Sequence, residues 1–167
     1  MIILGIDPAL AVTGYGVISV KKNILFLLEA GIISTSSKEQ LPRRIDKIHR
    51  AAIKLISDTK PDALVLEKLY VHYRHPTTAY LLGQARGVIC LACAEKNVTL
   101  VEYGATRVKK AIVGRGSASK LQVQRMVASL LNLSSLPKYT DVSDALALAI
   151  AHSYISKAIS YGAQYGR

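Results

Sequence analysis

The sequence lacks several features that would place it in other classes of protein. It has only two cysteines, which stand as Cys90-x-x-Cys93 inside an apolar run, with no second pair to complete a zinc site. We interpret them as small core residues rather than a redox pair. No apolar run approaches the ~20 residues of a membrane span, and the first residues carry no cationic segment typical of a signal peptide. We therefore expect a cytoplasmic protein that does not associate with membranes.

Acidic residues are also scarce. The chain has 11 Asp and Glu against 22 Lys and Arg, which gives a formal net charge of +11. Such an excess favours an acidic partner, with nucleic acid ahead of an anionic membrane. A basic surface that serves only solubility is the alternative.

Half of the 167 residues are hydrophobic, which suits a single domain with one full core. We predict that this domain covers residues 1–157. Residues 158–167 have little periodicity, and we expect them to form a short flexible tail.

Apolar patterning predicts an alternation of strands and helices. Strands are expected over residues 2–7, 13–20, 24–34, 62–67 and 98–103, and helices over about 39–59, 76–96, 105–113, 120–131 and 141–156. Gly14 and Gly16 in the second strand indicate the close approach of another backbone. This order is that of the ribonuclease H-like α/β fold, in which helices flank a five-stranded mixed sheet, three strands antiparallel and then two parallel.

Four carboxylates stand where an acid is least expected. Asp7 and Glu67 each close an apolar strand, and Asp141 and Asp144 open an apolar helix. An unpaired carboxylate in an apolar setting is costly, so such groups are usually paired or bind metal. If the strand ending at Glu67 lies parallel to the first strand, all four can meet at the carboxyl edge of the sheet. The two aspartates could otherwise serve only to stabilise the start of their helix.

Carboxylate-rich ligation of this kind selects Mg²⁺, for which Mn²⁺ can substitute. Two such ions per active site can activate water and stabilise the leaving oxygen of a phosphodiester. The four acids therefore predict a metal site for cutting a polyanion.

A series of short motifs, in this order and spacing, resembles the RuvC family of crossover (Holliday) junction endodeoxyribonucleases from Met1 to about Tyr154. The motifs are Gly5-Ile6-Asp7-Pro8, Thr13-Gly14-Tyr15-Gly16-Val17, Leu66-Glu67, Leu82-Gly83-Gln84-Ala85-Arg86-Gly87-Val88, Val108-Lys109, Val113-Gly114, Gly116-Ser117-Ala118, Lys120, Gln122-Val123-Gln124 and Asp141-x-x-Asp144-Ala145-Leu146-Ala147.

The resemblance implies a Mg²⁺-dependent homodimer that resolves four-way DNA junctions in recombination and repair by two symmetric nicks. It implies catalytic roles for the four carboxylates and DNA contacts near the scissile phosphate for Lys109 and Lys120. Cooperation with the RuvA–RuvB branch-migration complex is implied as well. The chain departs from the family pattern at Ala9, where glycine is usual, and from Tyr70, where phenylalanine is usual, through residue 76.

Two further segments are candidates for DNA contact. The loop over residues 68–75 carries Tyr70 and Arg74, which suit base stacking and phosphate binding. Lys110 and Arg115 lie with Lys109 and Lys120 around a glycine-rich turn, where cations suit phosphate contact. An ordinary exposed loop and a solvated basic face are the alternatives.

Gly83 and Gly87 lie four residues apart on a predicted helix, so both face the same way. Glycine inside a helix calls for a reason, which is either packing on the sheet or a two-fold dimer interface. The RuvC resemblance implies pairing largely through this helix. For His152 we favour a satisfied core position over support of the metal site, and the sequence leaves open whether Arg86 pairs with a carboxylate or a phosphate.

Two rival functions remain. A phosphotransferase of the actin or sugar-kinase type needs two such domains, whereas this chain has room for one. Another ribonuclease H-like nuclease, or a junction-binding protein without activity, would share most of the features above.

Overall fold

The computed structural model describes residues 1–69 and 76–165 of the chain. Its elements are β1 (Ile2–Asp7), β2 (Val12–Lys21), β3 (Ile24–Ser34), α1 (Leu41–Thr59), β4 (Ala63–Glu67), α2 (Pro76–Glu95), β5 (Thr99–Tyr103), α3 (Ala105–Val113), α4 (Lys120–Leu130) and α5 (Thr140–Tyr165).

The five strands form one mixed sheet in the order β3-β2-β1-β4-β5. β1, β2 and β3 pair antiparallel, whereas β4 is parallel to both β1 and β5. This confirms the predicted ribonuclease H-like arrangement. It also places the carboxyl ends of β1, β4 and β5 on one edge of the sheet.

Helices cover both faces of this sheet, and strand alternation sorts the side chains between them. Leu4 and Leu64 are fully buried in the cluster that includes α1 and α2. Ile3 and Val65 are fully buried in the cluster that includes α3, α4 and α5. Because Asp7 and Glu67 share the parity of Ile3 and Val65, both belong to the face covered by α5.

The last helix differs from its prediction. α5 continues to Tyr165, whereas the sequence predicted an end near Ser156 followed by a tail over residues 158–167. Periodicity is weak after Ser156, but no proline interrupts the segment. Extending an existing helix is easier than starting one, so the turns packed on the sheet support those that follow. The other elements begin and end within about two residues of their predicted limits.

No helix in the described part of the chain is long and apolar enough to cross a membrane.

Candidate active site

Two of the predicted carboxylates are brought together by the parallel pairing of β1 and β4. Ile6 lies opposite Leu66 in this register, so the next residues, Asp7 and Glu67, end side by side at the carboxyl edge. Both are partly buried.

The other two carboxylates reach this edge because α5 packs directly on the backbone of the β1–β2 hairpin. A Cβ added at Gly5 would lie 2.0 Å from the carbonyl oxygen of Ala145, and one at Gly14 would lie 2.2 Å from that of Asp141. Gly14 is also the cross-strand partner of Asp7. The predicted close approach of another backbone is thus confirmed at Gly14, whereas Gly16 faces mainly the side chain of Leu146. The contact at Gly14 places the first turns of α5 over Asp7.

The ionisation of Asp7 shows how closely the four acids are gathered. Burial, followed by the negative charges of Asp144, Asp141 and Glu67, raises the pKa of Asp7 from 3.8 to about 7, while Lys120 opposes the shift. Burial and the charge of Asp144 likewise raise the pKa of Glu67, and Lys109 and Lys120 lower it. Asp7 is therefore electrostatically coupled to each of the other three acids.

Lys120 supplies a cation inside this acidic site. Its Nζ lies 2.7 Å from Oδ2 of Asp144, and this pairing raises the pKa of the lysine. The lysine is placed by the start of α4. There Gln122 N–H donates to Ser119 Oγ (3.3 Å) and Ser119 N–H donates to Gln122 Oε1 (2.9 Å), which together form a capping box.

The donor set, four carboxylates at one edge of the sheet, fits a hard divalent cation. In the described residues, no three His, Cys, Asp or Glu side chains converge tightly enough to hold one ion. Yet three acids raise the pKa of Asp7, so the site accumulates more negative charge than Lys120 offsets. All-oxygen ligation by such acids suits Mg²⁺ or Mn²⁺.

A cleft of about 210 Å³ opens beside these acids. Its polar lining consists of Glu67, Asp144, Lys109 and Lys120, and its apolar floor comes from Ala105, Val108, Val123, Ala147 and Leu148. Two acids and two lysines around one opening can hold a phosphate group against a cation.

Comparison with known proteins agrees with this geometry. The family model described as crossover junction endodeoxyribonuclease RuvC matches residues 3–152, a range that contains all four carboxylates. The chain belongs to the RuvC family.

RuvC proteins of several bacteria match this chain over most of their length. The RuvC of Alkaliphilus oremlandii is 44% identical over 92% of this chain and 93% of that relative. The RuvC of Rhodopirellula baltica is 45% identical over 92% of this chain and 86% of that relative. The structure of Thermus thermophilus RuvC in complex with a Holliday junction substrate is 32% identical, with a TM-score of 0.91 over 96% of this chain and 97% of that one.

Arg86 carries a role that the sequence left open. Its Nη1 donates to the carbonyl oxygen of Glu67 at 2.7 Å, and its guanidinium pairs with the carboxylate of Glu102 on β5. Only 12% of its side chain is exposed. Arg86, on α2, therefore pairs with a carboxylate and also holds the backbone of Glu67, a candidate active-site acid.

His152 and Cys93 are buried core residues, as predicted, whereas Cys90 is only partly buried against the core. The Nδ1 of His152 is hydrogen-bonded to Tyr103 Oη at 2.9 Å, and burial lowers the pKa of the imidazole. Burial raises the pKa of Cys93 to about 11, which suits an inert packing residue.

Ala9 fits the turn where the RuvC pattern usually has glycine. Its φ is not positive, so alanine is not strained there. Its N–H donates to Thr13 Oγ1 at 3.1 Å, and the Thr13 hydroxyl donates back to the Ala9 carbonyl at 2.6 Å. The departure from the family pattern leaves the Asp7 turn well ordered by hydrogen bonds.

The candidate residues for DNA contact and dimer pairing lie in three different settings. Tyr70 and Arg74 lie outside the described residues. Arg115 is exposed in the turn after α3 and does not line the cleft. Gly83 and Gly87 are exposed on α2, and a Cβ added at either would meet nothing within 4 Å. Packing on the sheet is therefore not the reason for these glycines.

Proposed function

We propose that this chain is a structure-selective DNA endonuclease that resolves four-way junctions in homologous recombination and repair. Each of two symmetric nicks is a phosphodiester hydrolysis leaving a 5′-phosphate and a 3′-hydroxyl. The observation that carries the proposal is the gathering of Asp7, Glu67, Asp141 and Asp144 at one sheet edge, beside a cleft lined by two lysines.

The four carboxylates would hold Mg²⁺, two ions per active site, with Mn²⁺ as a substitute. When bound, the ions supply an activated water and stabilise the leaving oxygen. Asp7 holds a proton with a pKa of about 7 in the metal-free protein, and this proton leaves when a cation binds. Lys120 competes with the cation for Asp144, since its ammonium stands 2.7 Å from that carboxylate.

The lysines act on the substrate. Lys109 and Lys120 line the cleft together with Glu67 and Asp144, so a phosphate that approaches the acids meets two positive charges. These charges offset the repulsion between the DNA backbone and the acids, and they position the phosphate without reading base sequence. We assign further DNA contacts to Tyr70, Arg74 and Arg115 on their residue types and positions in the sequence.

We propose that two copies pair through α2. Tyr80, Gly83, Gly87 and Leu91 follow one another at helical spacing, and Tyr80 and Leu91 are 63% and 51% exposed. Large exposed apolar side chains flanking two small ones allow close contact between helices across a two-fold axis. A junction has near two-fold symmetry, so such a dimer would present equivalent sites to opposed strands. We propose that this dimer works in the cytoplasm with RuvA–RuvB.

A cleavage assay on three substrates tests the activity. A labelled four-way junction, a linear duplex and an RNA–DNA hybrid are each incubated with Mg²⁺ or with EDTA. We expect symmetric nicks in the junction only, and only with Mg²⁺. Cutting of the hybrid would favour another ribonuclease H-like nuclease, and junction binding with no cutting would favour a noncatalytic binder.

Asp7→Asn is the decisive variant, and Asp58→Asn is its control. Asp58 is an acid on the surface of α1 that pairs with Lys54 on the same helix, so its replacement changes net charge equally without touching the site. We expect Asp7→Asn to bind junctions but not cut them, and Asp58→Asn to cut normally. Normal cutting by Asp7→Asn would refute the site. Tight ATP binding in titration calorimetry would instead revive the phosphotransferase alternative.

The dimer is tested by light scattering after size exclusion. Gly87→Arg is expected to convert the dimer to a monomer with unchanged thermal stability at low concentration, since a side chain at this position meets nothing within its own chain. Lys96→Ala, a charge change beyond the end of α2, serves as the control. A variant that stays dimeric would place the interface elsewhere.

A further inference from the structure

A second cleft, of about 640 Å³, lies next to the active site on the same edge of the sheet. It is formed where β4 and β5 end and α3 begins, and it is lined by Lys68, Glu102, Tyr103, Gly104, Ala105, Thr106, Arg107 and Lys110. Tyr103 is the register partner of Glu67, and Lys68 follows Glu67 directly. The cleft therefore begins one residue from an active-site acid.

Helix α3 is the wall between the two clefts. Ala105 lines both of them, whereas Lys109 lines the active cleft and Arg107 and Lys110 line the second one. Residues three apart on a helix share a face, so Arg107 and Lys110 point cations into the same opening. A DNA strand that runs from the cleft beside the four acids past Ala105 would enter the second cleft directly.

Positive charge prevails in the second cleft. Its lining includes three cations, Lys68, Arg107 and Lys110, against the single carboxylate of Glu102. That carboxylate is already paired with the guanidinium of Arg86. The cleft therefore presents Arg107 and Lys110 to its opening, which fits a polyanion and disfavours a second metal site.

Arg107 is held in place by its stacking on an aromatic ring. Its guanidinium carbon lies 5.3 Å from the ring centroid of Tyr103, within the range of a cation–π contact. Tyr103 itself is buried and anchored through its hydroxyl to His152. The tyrosine is thus engaged within the protein, and among the described residues that line it the cleft offers cations rather than a free aromatic surface for base stacking.

We propose that this second cleft binds backbone phosphates of the DNA strand that continues from the scissile phosphate, with Arg107 and Lys110 as the contacting residues. The inference rests on the proposed nuclease function and extends it by one binding site. Arginine and lysine side chains contact backbone phosphates through charge, so the two cations would add affinity and fix the register of the strand without reading base sequence.

The test compares two double variants that remove the same charge. Arg107→Gln with Lys110→Gln removes the cleft cations and keeps part of each aliphatic stem. Lys60→Gln with Lys96→Gln is the matched control, because these lysines flank a shallow depression beside Pro61 and Val98 at the opposite, amino edge of the sheet. Both are made in the Asp7→Asn background, and junction binding is measured in EDTA over about 50 to 200 mM salt.

We expect the cleft variant to bind a four-way junction at least about fivefold more weakly, with a salt slope smaller by about 1 for each phosphate that the variant no longer neutralises. The control should retain the parental slope. Equal slopes for cleft variant, control and parent would overturn the proposal, as would equal weakening of cleft variant and control, which indicates general attraction only.

Uncharged methylphosphonate linkages in place of single phosphates show which positions of the DNA the second cleft binds. Junctions carrying single methylphosphonates at successive positions on either side of the cleavage point are bound to the parent and to the cleft variant. We expect one or two positions to weaken parental binding without weakening the variant further, since the partner cations are already absent. Additive weakening at every position would refute the assignment.

Failure of the second-cleft proposal can be told apart from failure of the proposed nuclease function. If the chain does not cut junctions at all, the cleavage assay fails while the binding comparison still reports on the cleft. If it cuts junctions and the cleft variant keeps the parental slope, only the second site is wrong. Adding inorganic phosphate at matched ionic strength tests whether the cleft binds free phosphate instead of DNA. If the cleft binds only phosphates of a DNA backbone, the added phosphate should leave junction binding unchanged.

Discussion

The raised pKa of Asp7 should make the metal-free protein lose stability as pH rises, and Asp7→Asn should remove that loss. In the folded chain the Asp7 carboxyl titrates near 7 because it is buried beside Asp144, Asp141 and Glu67, whereas its unfolded value is 3.8. The unfolded chain therefore releases this proton at lower pH than the folded chain does.

Proton linkage gives the direction and the size of the change in the free energy of unfolding with pH. Below about pH 4 both states hold the proton, and Asp7 does not favour either one. Between about 4 and 7 only the folded state holds it, so stability falls by about 1.4 kcal/mol per pH unit. From 3.8 to about 7 this amounts to about 4 kcal/mol, an upper value given the partial exposure of the carboxyl, and the loss is constant above pH 7.

Urea unfolding in EDTA measures this difference at about pH 4, 6 and 8. The quantity of interest is the free energy of unfolding of the variant minus that of the parent, because titrating groups that do not interact with Asp7 cancel in it. We expect this difference to grow by about 2 to 4 kcal/mol between pH 4 and 8, or very roughly 4 to 16 °C in midpoint temperature. A difference that does not change with pH would show that Asp7 is not in the crowded acidic setting described above.

Three further changes probe separate parts of the site. Gly5→Ala should destabilise the fold by more than about 3 kcal/mol, because its Cβ would lie 2.0 Å from a carbonyl oxygen of α5, whereas Gly87→Ala should be neutral or stabilising in thermal melts. Arg86→Lys should slow single-turnover cleavage about tenfold at unchanged junction affinity, because the donor that fixes the Glu67 carbonyl is displaced; an equal loss of affinity would contradict a positioning role. Lys120→Gln should tighten Mn²⁺ binding about threefold to tenfold in calorimetry at about pH 8, since a competing ammonium is removed, and weaker binding would argue against competition.

Much of the site could be predicted because it depends on where strands end. A carboxylate that closes an apolar strand lies at a sheet edge whatever the loops do, so Asp7 and Glu67 were fixed once β1 and β4 were expected to be parallel. The spacing of Asp141 and Asp144 placed both in the first turns of one helix. Their proximity to Asp7 then required only that this helix cover the same face.

The remaining features depend on tertiary contacts that leave no periodic signal. Arg86 could have faced a phosphate as readily as Glu102, and only the approach of α2 to β5 decides between them. The pairing of Lys120 with Asp144 joins two helices whose relative placement the sequence does not encode locally. The exposure of Gly83 and Gly87 likewise depends on which face of α2 the sheet takes.

The glycines of the β1–β2 hairpin matter to this site because their lack of a side chain lets α5 approach the sheet closely. Gly14 lies across from Asp7 and in contact with Asp141, so any side chain there would hold the start of α5 away from β1. Greater separation would weaken the repulsion that raises the pKa of Asp7. The same separation would disperse the negative charge that attracts a divalent cation, so tight backbone packing and cation affinity rise or fall together in this fold.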